Sequence, residues 1–430
     1  MKVSAEKLDK TKAEITVEIP EEEFEDSLQK AYRIVVKKVN IPGFRKGKAP
    51  RRILENIYGR EILIEDALQD AIPTAYFKAL EEIKDEYKPV SDPEYNLVSV
   101  EKGSPVVFKA KFDLKPEVKL GQYKGIELEK TAVEIKKEDV DKELATMQQR
   151  YAKLTVVEGP AVSGDVLTID FLGKVDGQPF EGGLGENHTL ELGSNTFIPG
   201  FEEQLIGVNV QETKDLPVTF PVEYHAENLK GQDAVFTVTV KEIKRKELAE
   251  LDDEFAKDVS DFDTLQELRQ SIENNLNKAA QEKAESELKS NAIKIAAENA
   301  ELEIPASMIE KRIDRLIGDL DYRLRQQGLM FDYYLQATNT KIEDLRNDYR
   351  AGAEASVRGD LVLEEIARVE QITVTTEDID KEINKMAEAY KQEPGKLREF
   401  MEKQGQINAL EFGIMIEKAI DFIIAEAKIA

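Results

Sequence analysis

The 430-residue chain has no cysteine, no tryptophan and only two histidines. Without cysteine it can form no disulfide, thiolate nucleophile or thiolate-ligated metal site. His188 has no second histidine or carboxylate at ligand spacing, so it makes no metal site, and His225 reads as a loop or rim residue rather than a base. Long apolar runs are missing too. The most apolar segment, 407–430, is broken by Glu411, Glu417, Lys418, Asp421 and Glu426, so it does not span a membrane. The first seven residues, Met1 to Lys7, lack the apolar core of a signal peptide. These absences predict a cytoplasmic chain with no membrane partner and no cofactor.

What is present is charge. Acidic residues outnumber basic ones 86 to 60, a net −26, and charged side chains make up 34% of the chain against 41% hydrophobic. That balance fits a folded protein with a wet surface, and the length accommodates two to four domains. Against this acidic background, residues 41–60 hold six cations (Arg45, Lys46, Lys48, Arg51, Arg52, Arg60) and one acid, Glu55. A local excess of that kind fits a polyanionic partner, nucleic acid being the commonest; the alternative is a solvated basic turn. The spacing Gly43-x3-Gly47-Lys48 is one residue short of a phosphate-binding P-loop. Ala49 also stands where a magnesium-binding hydroxyl would be needed, which rejects nucleotide binding.

Three compositional zones follow one another. Residues 1–113 read as α+β: alternation over 13–20 predicts a strand, and Leu28, Tyr32, Val35 and Val39 predict a helix ending at Asn40. Helical patterns run to about residue 85, and the turn 101–105 separates two strand-like runs, 95–100 and 106–114. A connector, 114–149, carries a helix over 137–150. Residues 150–245 are glycine-dense, with β-period runs at 166–171, 190–192 and 235–243, and read as a small antiparallel β domain. Residues 246–430 are helical and acidic, with 25 basic and 41 acidic residues. Thr264-x-x-Glu267 is a capping box, Pro305 suits a first helical turn, and further helices are expected over 341–368, 377–390 and 407–428. Alanine-rich faces (Ala279, Ala280, Ala284, Ala296, Ala297) favour close helix pairs in extended arms.

The octapeptide Gly43-Phe44-Arg45-Lys46-Gly47-Lys48-Ala49-Pro50 resembles the ribosome-docking signature of the trigger factor family of bacterial chaperones. The resemblance implies a loop between two helices whose Gly43, Phe44, Arg45, Lys46, Gly47 and Lys48 meet ribosomal protein and RNA near the exit tunnel. In the middle zone, Asp170-Phe171-Leu172-Gly173, Phe180-Glu181-Gly182-Gly183, Phe197-Ile198-Pro199-Gly200-Phe201, Pro221 to His225, and Phe236 resemble the FKBP-type prolyl isomerases in order and spacing. Carried over, Phe171, Phe180 and Phe236 are pocket walls and Phe201 is the floor. Ile198 offers its backbone N–H to the carbonyl before the substrate proline, and Tyr224 is a hydroxyl donor. Two positions depart from that pattern: Phe201 replaces the usual tryptophan floor, which bears on macrolide binding, and Glu181 replaces an aspartate. Read without the resemblance, the same aromatics would be the core of a small β domain.

Together the resemblances imply a multidomain α+β chain. An α+β ribosome-docking domain precedes an inserted FKBP-like antiparallel β domain with a short helix. A discontinuous all-α C-terminal domain with arms, built from 114–149 and 246–430, completes it. The implied function is capture of nascent and unfolded polypeptide at the ribosome, with X-Pro isomerisation as a second activity and a homodimer away from the ribosome. The rival reading is a free-standing isomerase with helical client-binding arms. Candidate client-binding residues are Met308, Leu329, Met330, Phe331, Tyr333, Tyr334, Met386 and Met415.

Overall fold

The structure is a computed structural model that describes residues 1–84, 86–130, 134–224 and 229–429. The chain divides into two compact units, 1–130 with 286–430, and 131–285.

The first unit opens with an antiparallel sheet in the order β1 (Lys2–Lys7), β2 (Lys12–Ile19), β4 (Val106–Asp113), β3 (Glu94–Ser99). Alternation decides its faces: Ala13, Ile15, Val17 and Ile19 of β2 and Val106, Phe108, Ala110 and Phe112 of β4 are all buried. They pack with α1 (Glu21–Lys38) and α3 (Glu61–Ile83), whose core residues include Phe24, Leu28 and Val35, and Leu63, Ala67, Ala75 and Ala79. The short α2 (Arg51–Tyr58) lies between them in sequence. Three acids open α1 and two lysines close it, as the helix dipole favours.

A second core in this unit joins Ile126 and Leu128 to the C-terminal half of α7 (Leu265–Asn299), to α10 (Ile342–Val369) and to α13 (Ile407–Glu426). Leu128 belongs to β5 (Glu127–Leu128), which pairs in parallel with β11 (Lys428–Ile429). Tyr123 donates to Glu370 at 2.6 Å, and Lys124 pairs with the same carboxylate at 2.8 Å. Helix α8 (Ala306–Gln326) is tied to α10 by Arg346, which bridges Glu310 (2.5 Å) and Asp314 (2.6 Å), and by Arg312 with Asp360. Helices α9 (Phe331–Ala337), α11 (Thr376–Tyr390) and α12 (Pro394–Lys403) complete the unit.

The second unit holds a five-stranded antiparallel sheet in the order β6 (Lys153–Val156), β10 (Asp233–Glu247), β7 (Val166–Val175), β8 (Gln178–Glu191), with β9 (Thr213–Thr219) also paired to β10. A short helix, α5 (Phe201–Gln204), contributes Phe201 to its core. The helix α4 (Lys137–Arg150) packs Val140 and Leu144 against Phe255 and Ala256 of α6 (Asp253–Val259) and against Leu268 and Ile272 of α7. The Thr264 capping box is present: the Glu267 amide donates to Thr264 Oγ1 and the Thr264 amide donates to Glu267, both at 3.2 Å. Pro305 sits one residue earlier than expected, at the N-cap of α8.

The strand β8 is longer than the sequence pattern. Only 190–192 alternates clearly, yet the strand runs from Gln178 through Gly182, Gly183 and Gly185. At Gly183 and Gly185 the rings of Phe180 and Phe171 lie close to the backbone, where a side chain would not fit.

Among the described residues no helix is long and apolar enough to cross a membrane.

Candidate functional sites: an aromatic pocket and a basic loop

In the second unit, the glycines of β7 and β8 make room for aromatic rings. Phe171 of β7 faces Gly185 of β8, and Phe236 of β10 faces Gly173 of β7. A Cβ on Gly173 would stand 2.6 Å from Phe236 Cε1 and 2.8 Å from the Phe180 ring; one on Gly185 would stand 2.5 Å from Phe171 Cε1. All three distances are below ordinary contact, so the rings occupy the space that side chains would need.

Phe201, wholly buried, lies at the bottom of the cluster, with Phe236 at 5.4 Å and 84° and Phe197 at 4.6 Å. Phe171 stands 6.1 Å from Phe236 and 5.6 Å from Phe197, while Phe180 stands 5.9 Å from Phe236. Edge-to-face pairs dominate, the arrangement that ring quadrupoles favour. Phe171, Phe180, Phe197, Ile198 and Tyr224 are only half-buried, whereas Phe201 and Phe236 are buried. Two buried rings thus lie beneath a set of half-buried side chains. The six residues expected from the sequence, Phe171, Phe180, Ile198, Phe201, Tyr224 and Phe236, all belong to or pack on this one core.

Sequence reasoning assigned no role to Phe197 or to Phe220, whose ring lies 5.7 Å from Phe180 and 4.8 Å from Tyr224. Phe197 sits in the quoted Phe-Ile-Pro-Gly-Phe motif and could have been found there; Phe220 had no such signal. His188 is exposed with its ring 5.7 Å from Phe171 and 5.2 Å from Phe197, a rim position. His225 lies outside the described residues, as does the side chain of Glu181. Among the described residues no group of acids or histidines could hold a metal. An open cleft of about 890 Å³ near Lys174, Asp176, Pro217 and Asp233 contains none of these rings, so volume does not locate the site.

Two ion pairs brace the sheet. Arg245 donates to both oxygens of Asp165, at 2.8 and 2.7 Å, and the Val162 amide adds a third bond to that buried carboxylate. The Arg245 guanidinium holds the Asp165 carboxyl below its ordinary value despite burial. Asp170 pairs with Lys241 at 2.7 Å and is likewise held low by that ammonium and by the Asn187 amide.

The basic loop lies in the first unit between α1 and α2. Ile41 and Ala49 are buried and pin its two ends, while 42–46 and Lys48 are exposed. Two turns shape it, closed by Phe44 N–H to Ile41 O (3.1 Å) and Lys48 N–H to Arg45 O (2.9 Å). Tyr32 Oη donates to Ala49 O at 2.7 Å and Tyr58 Oη to Asn40 O at 3.1 Å, one latch at each end. Phe44 is 40% exposed with no ring partner among the described residues. The six cations divide: Arg51 pairs with Glu25 (2.5 Å) and Glu55 (2.7 Å), and Arg60 approaches Glu25 at 3.9 Å. Arg45, Lys46, Lys48 and Arg52 make no ion pair among the described residues and face solvent.

The candidate client-binding residues are spread through the first unit. Leu329, Met330 and Tyr333 are exposed around the α8–α9 turn, with Phe331 and Tyr334 half-buried beside them. Met308 lines a cleft of about 430 Å³ with Val357, Leu361 and Phe412. Met386 is half-buried on α11, and Met415 packs against the helical core. The pattern did not single out Tyr322, which is 65% exposed.

Comparison with known proteins agrees with this geometry. Family models match the chain over residues 1–147 (bacterial trigger factor protein), 158–241 (FKBP-type peptidyl-prolyl cis-trans isomerase) and 264–425 (bacterial trigger factor protein, C-terminus). The trigger factors of Pelotomaculum thermopropionicum and Desulforamulus reducens are each 47% identical over 430 residues, spanning 100% of this chain and 98% of theirs. That of Natranaerobius thermophilus is 49% identical over 425 residues, covering 99% and 95% respectively. The chain belongs to the trigger factor family, with an FKBP-type peptidyl-prolyl cis-trans isomerase domain in its middle.

Proposed function

We propose that the chain docks on the ribosome through the loop 43–48, holds emerging polypeptide on apolar surface of its helical region, and isomerises X-Pro bonds in the aromatic pocket. On this reading residues 1–113 are the ribosome-binding domain, 150–245 the isomerase, and 114–149 with 246–430 the client-binding body. Its setting is the cytoplasm, and its partners are ribosomal protein, ribosomal RNA and unfolded chains. The observation that carries the reading is the pairing state of the loop. Arg51 and Arg60 are neutralised at its base, while Phe44, Arg45, Lys46 and Lys48 are left exposed and unpaired at its tip. A solvated basic turn has no need of two tyrosine latches or an exposed phenylalanine.

The isomerase chemistry follows from amide resonance. Rotation about the peptide bond faces a barrier of roughly 18–20 kcal/mol because the planar amide is resonance-stabilised and charge-separated. The twisted transition state is less polar about the C–N bond. A dry aromatic cradle binds it better than water does, without a base, nucleophile or cofactor. Phe201 and Phe236 supply the dry floor, and the half-buried Phe171 and Phe180 close around the proline ring. The Ile198 N–H, which donates to no protein group among the described residues, fixes the preceding carbonyl. Uncatalysed exchange takes tens to hundreds of seconds, slow enough to limit folding.

Client capture uses scattered apolar side chains amid charge, which suits weak binding of many sequences. The α8–α9 turn, with Leu329, Met330 and Tyr333 exposed, is the strongest such surface on the candidate list. The test separates the activities. Phe171→Leu should abolish acceleration of a proline-limited refolding reaction and leave suppression of client aggregation intact. Loss of both together would contradict the division of labour.

A further inference from the structure

The loop that carries Phe197 and Ile198 is organised around one buried acid. Glu202, only 5% exposed, accepts the amides of Gly193 (2.8 Å) and Asn195 (3.0 Å) on Oε2. On Oε1 it accepts those of Thr196 (2.9 Å) and Phe197 (3.1 Å) and the Ser194 hydroxyl (3.2 Å). Burial pushes this carboxyl up, but the amides of Phe197, Asn195 and Gly193 outweigh it, so the group is held below its ordinary value and stays charged. Three successive amides, 195 to 197, thus converge on one carboxylate. The next one, Ile198, is the first that does not. Glu202 itself follows Phe201 at the start of α5, so floor and loop are fixed to the same short helix.

We propose that Glu202 is a positioning residue of the isomerase: its carboxylate locks residues 193–197 so that the Phe197 ring and the Ile198 N–H are held ready for the X-Pro segment. The proposal rests on the pocket reading above. A carboxylate suits this task because it has acceptor capacity for several donors and no proton of its own to misdirect. A glutamine in its place keeps the volume. However, it replaces one acceptor oxygen with an NH₂ group, which would face backbone N–H donors at 2.8–3.1 Å.

The consequence is specific. Releasing the loop lowers the fraction of molecules competent to bind, and apparent affinity falls by that fraction. KM should rise while kcat is retained. A merely structural defect removes folded enzyme, which lowers apparent kcat and leaves KM unmoved. The experiment is steady-state isomerisation of an X-Pro tetrapeptide by the full chain, comparing wild type, Glu202→Gln and the milder Ser194→Ala. We expect KM to rise about tenfold in Glu202→Gln and about twofold in Ser194→Ala, with kcat within twofold of wild type. A folded Glu202→Gln chain with unchanged KM overturns the proposal. If that variant does not fold, an unchanged KM in Ser194→Ala overturns it. A wild-type chain inactive on the peptide removes the pocket reading itself, an outcome distinct from both.

Discussion

Phe236 and Gly173 face each other across β10 and β7, and the ring of one fills the space where a side chain of the other would be. Gly173→Ala should therefore displace Phe236 and Phe180 together. Overpacking of this kind costs about 1–3 kcal/mol. We expect a lower midpoint in urea and a roughly tenfold fall in kcat/KM, with ribosome binding unaffected. Unchanged isomerase activity would mean that these rings do not form the working surface.

The burial gradient within the pocket makes a second distinction. Phe201 is wholly buried, so Phe201→Ala should cost about 3–5 kcal/mol as well as activity. Phe171 is half-buried, so Phe171→Leu should cost less than about 1.5 kcal/mol and still abolish most activity. Denaturant unfolding and peptide isomerisation, measured on both variants, check the split.

Acid should loosen the isomerase unit in a defined window. Asp165 and Glu202 both have folded-state values below their ordinary 3.8 and 4.5. A carboxyl depressed on folding contributes stability that is full above its unfolded value and is lost as pH falls through the folded one. Stability of this unit should be flat from neutral pH down to about 5 and drop below about 4. Asp165→Asn, which leaves Arg245 without its anion, should reduce the plateau and flatten the acid limb; unfolding curves across pH measure both.

How much of this was legible in the sequence depended on whether a residue's signal was local. Ile15 and Val17 alternate with polar neighbours, and Thr264 stands three residues before Glu267, so strand and cap could be read directly. The glycines of β8 had no such local signal. The space at Gly185 is taken by Phe171, which reaches it only through the pairing of β7 with β8. The cations of the loop could be counted but not sorted, because Glu25, which neutralises Arg51 and Arg60, lies a helix away. Glu202 carried no signal at all, since its partners are four backbone amides and one serine hydroxyl.

The tyrosine latches give a prediction at the loop. Tyr32→Phe removes only the hydroxyl that donates to Ala49 O. It should cost about 1 kcal/mol and weaken ribosome binding without changing the loop's charge. Equal binding by wild type and variant would show that the loop needs no bracing.

The central claim is ribosome docking through the exposed tip. The most direct measurement is cosedimentation of the full chain with vacant bacterial ribosomes at near-physiological salt, alongside the triple variant Phe44→Ala, Arg45→Ala, Lys46→Ala. These three side chains are exposed, so the variant should remain as stable as wild type. The account predicts that wild type pellets with ribosomes and the variant stays in the supernatant. Wild type that fails to pellet, or a variant that pellets equally well, would contradict it.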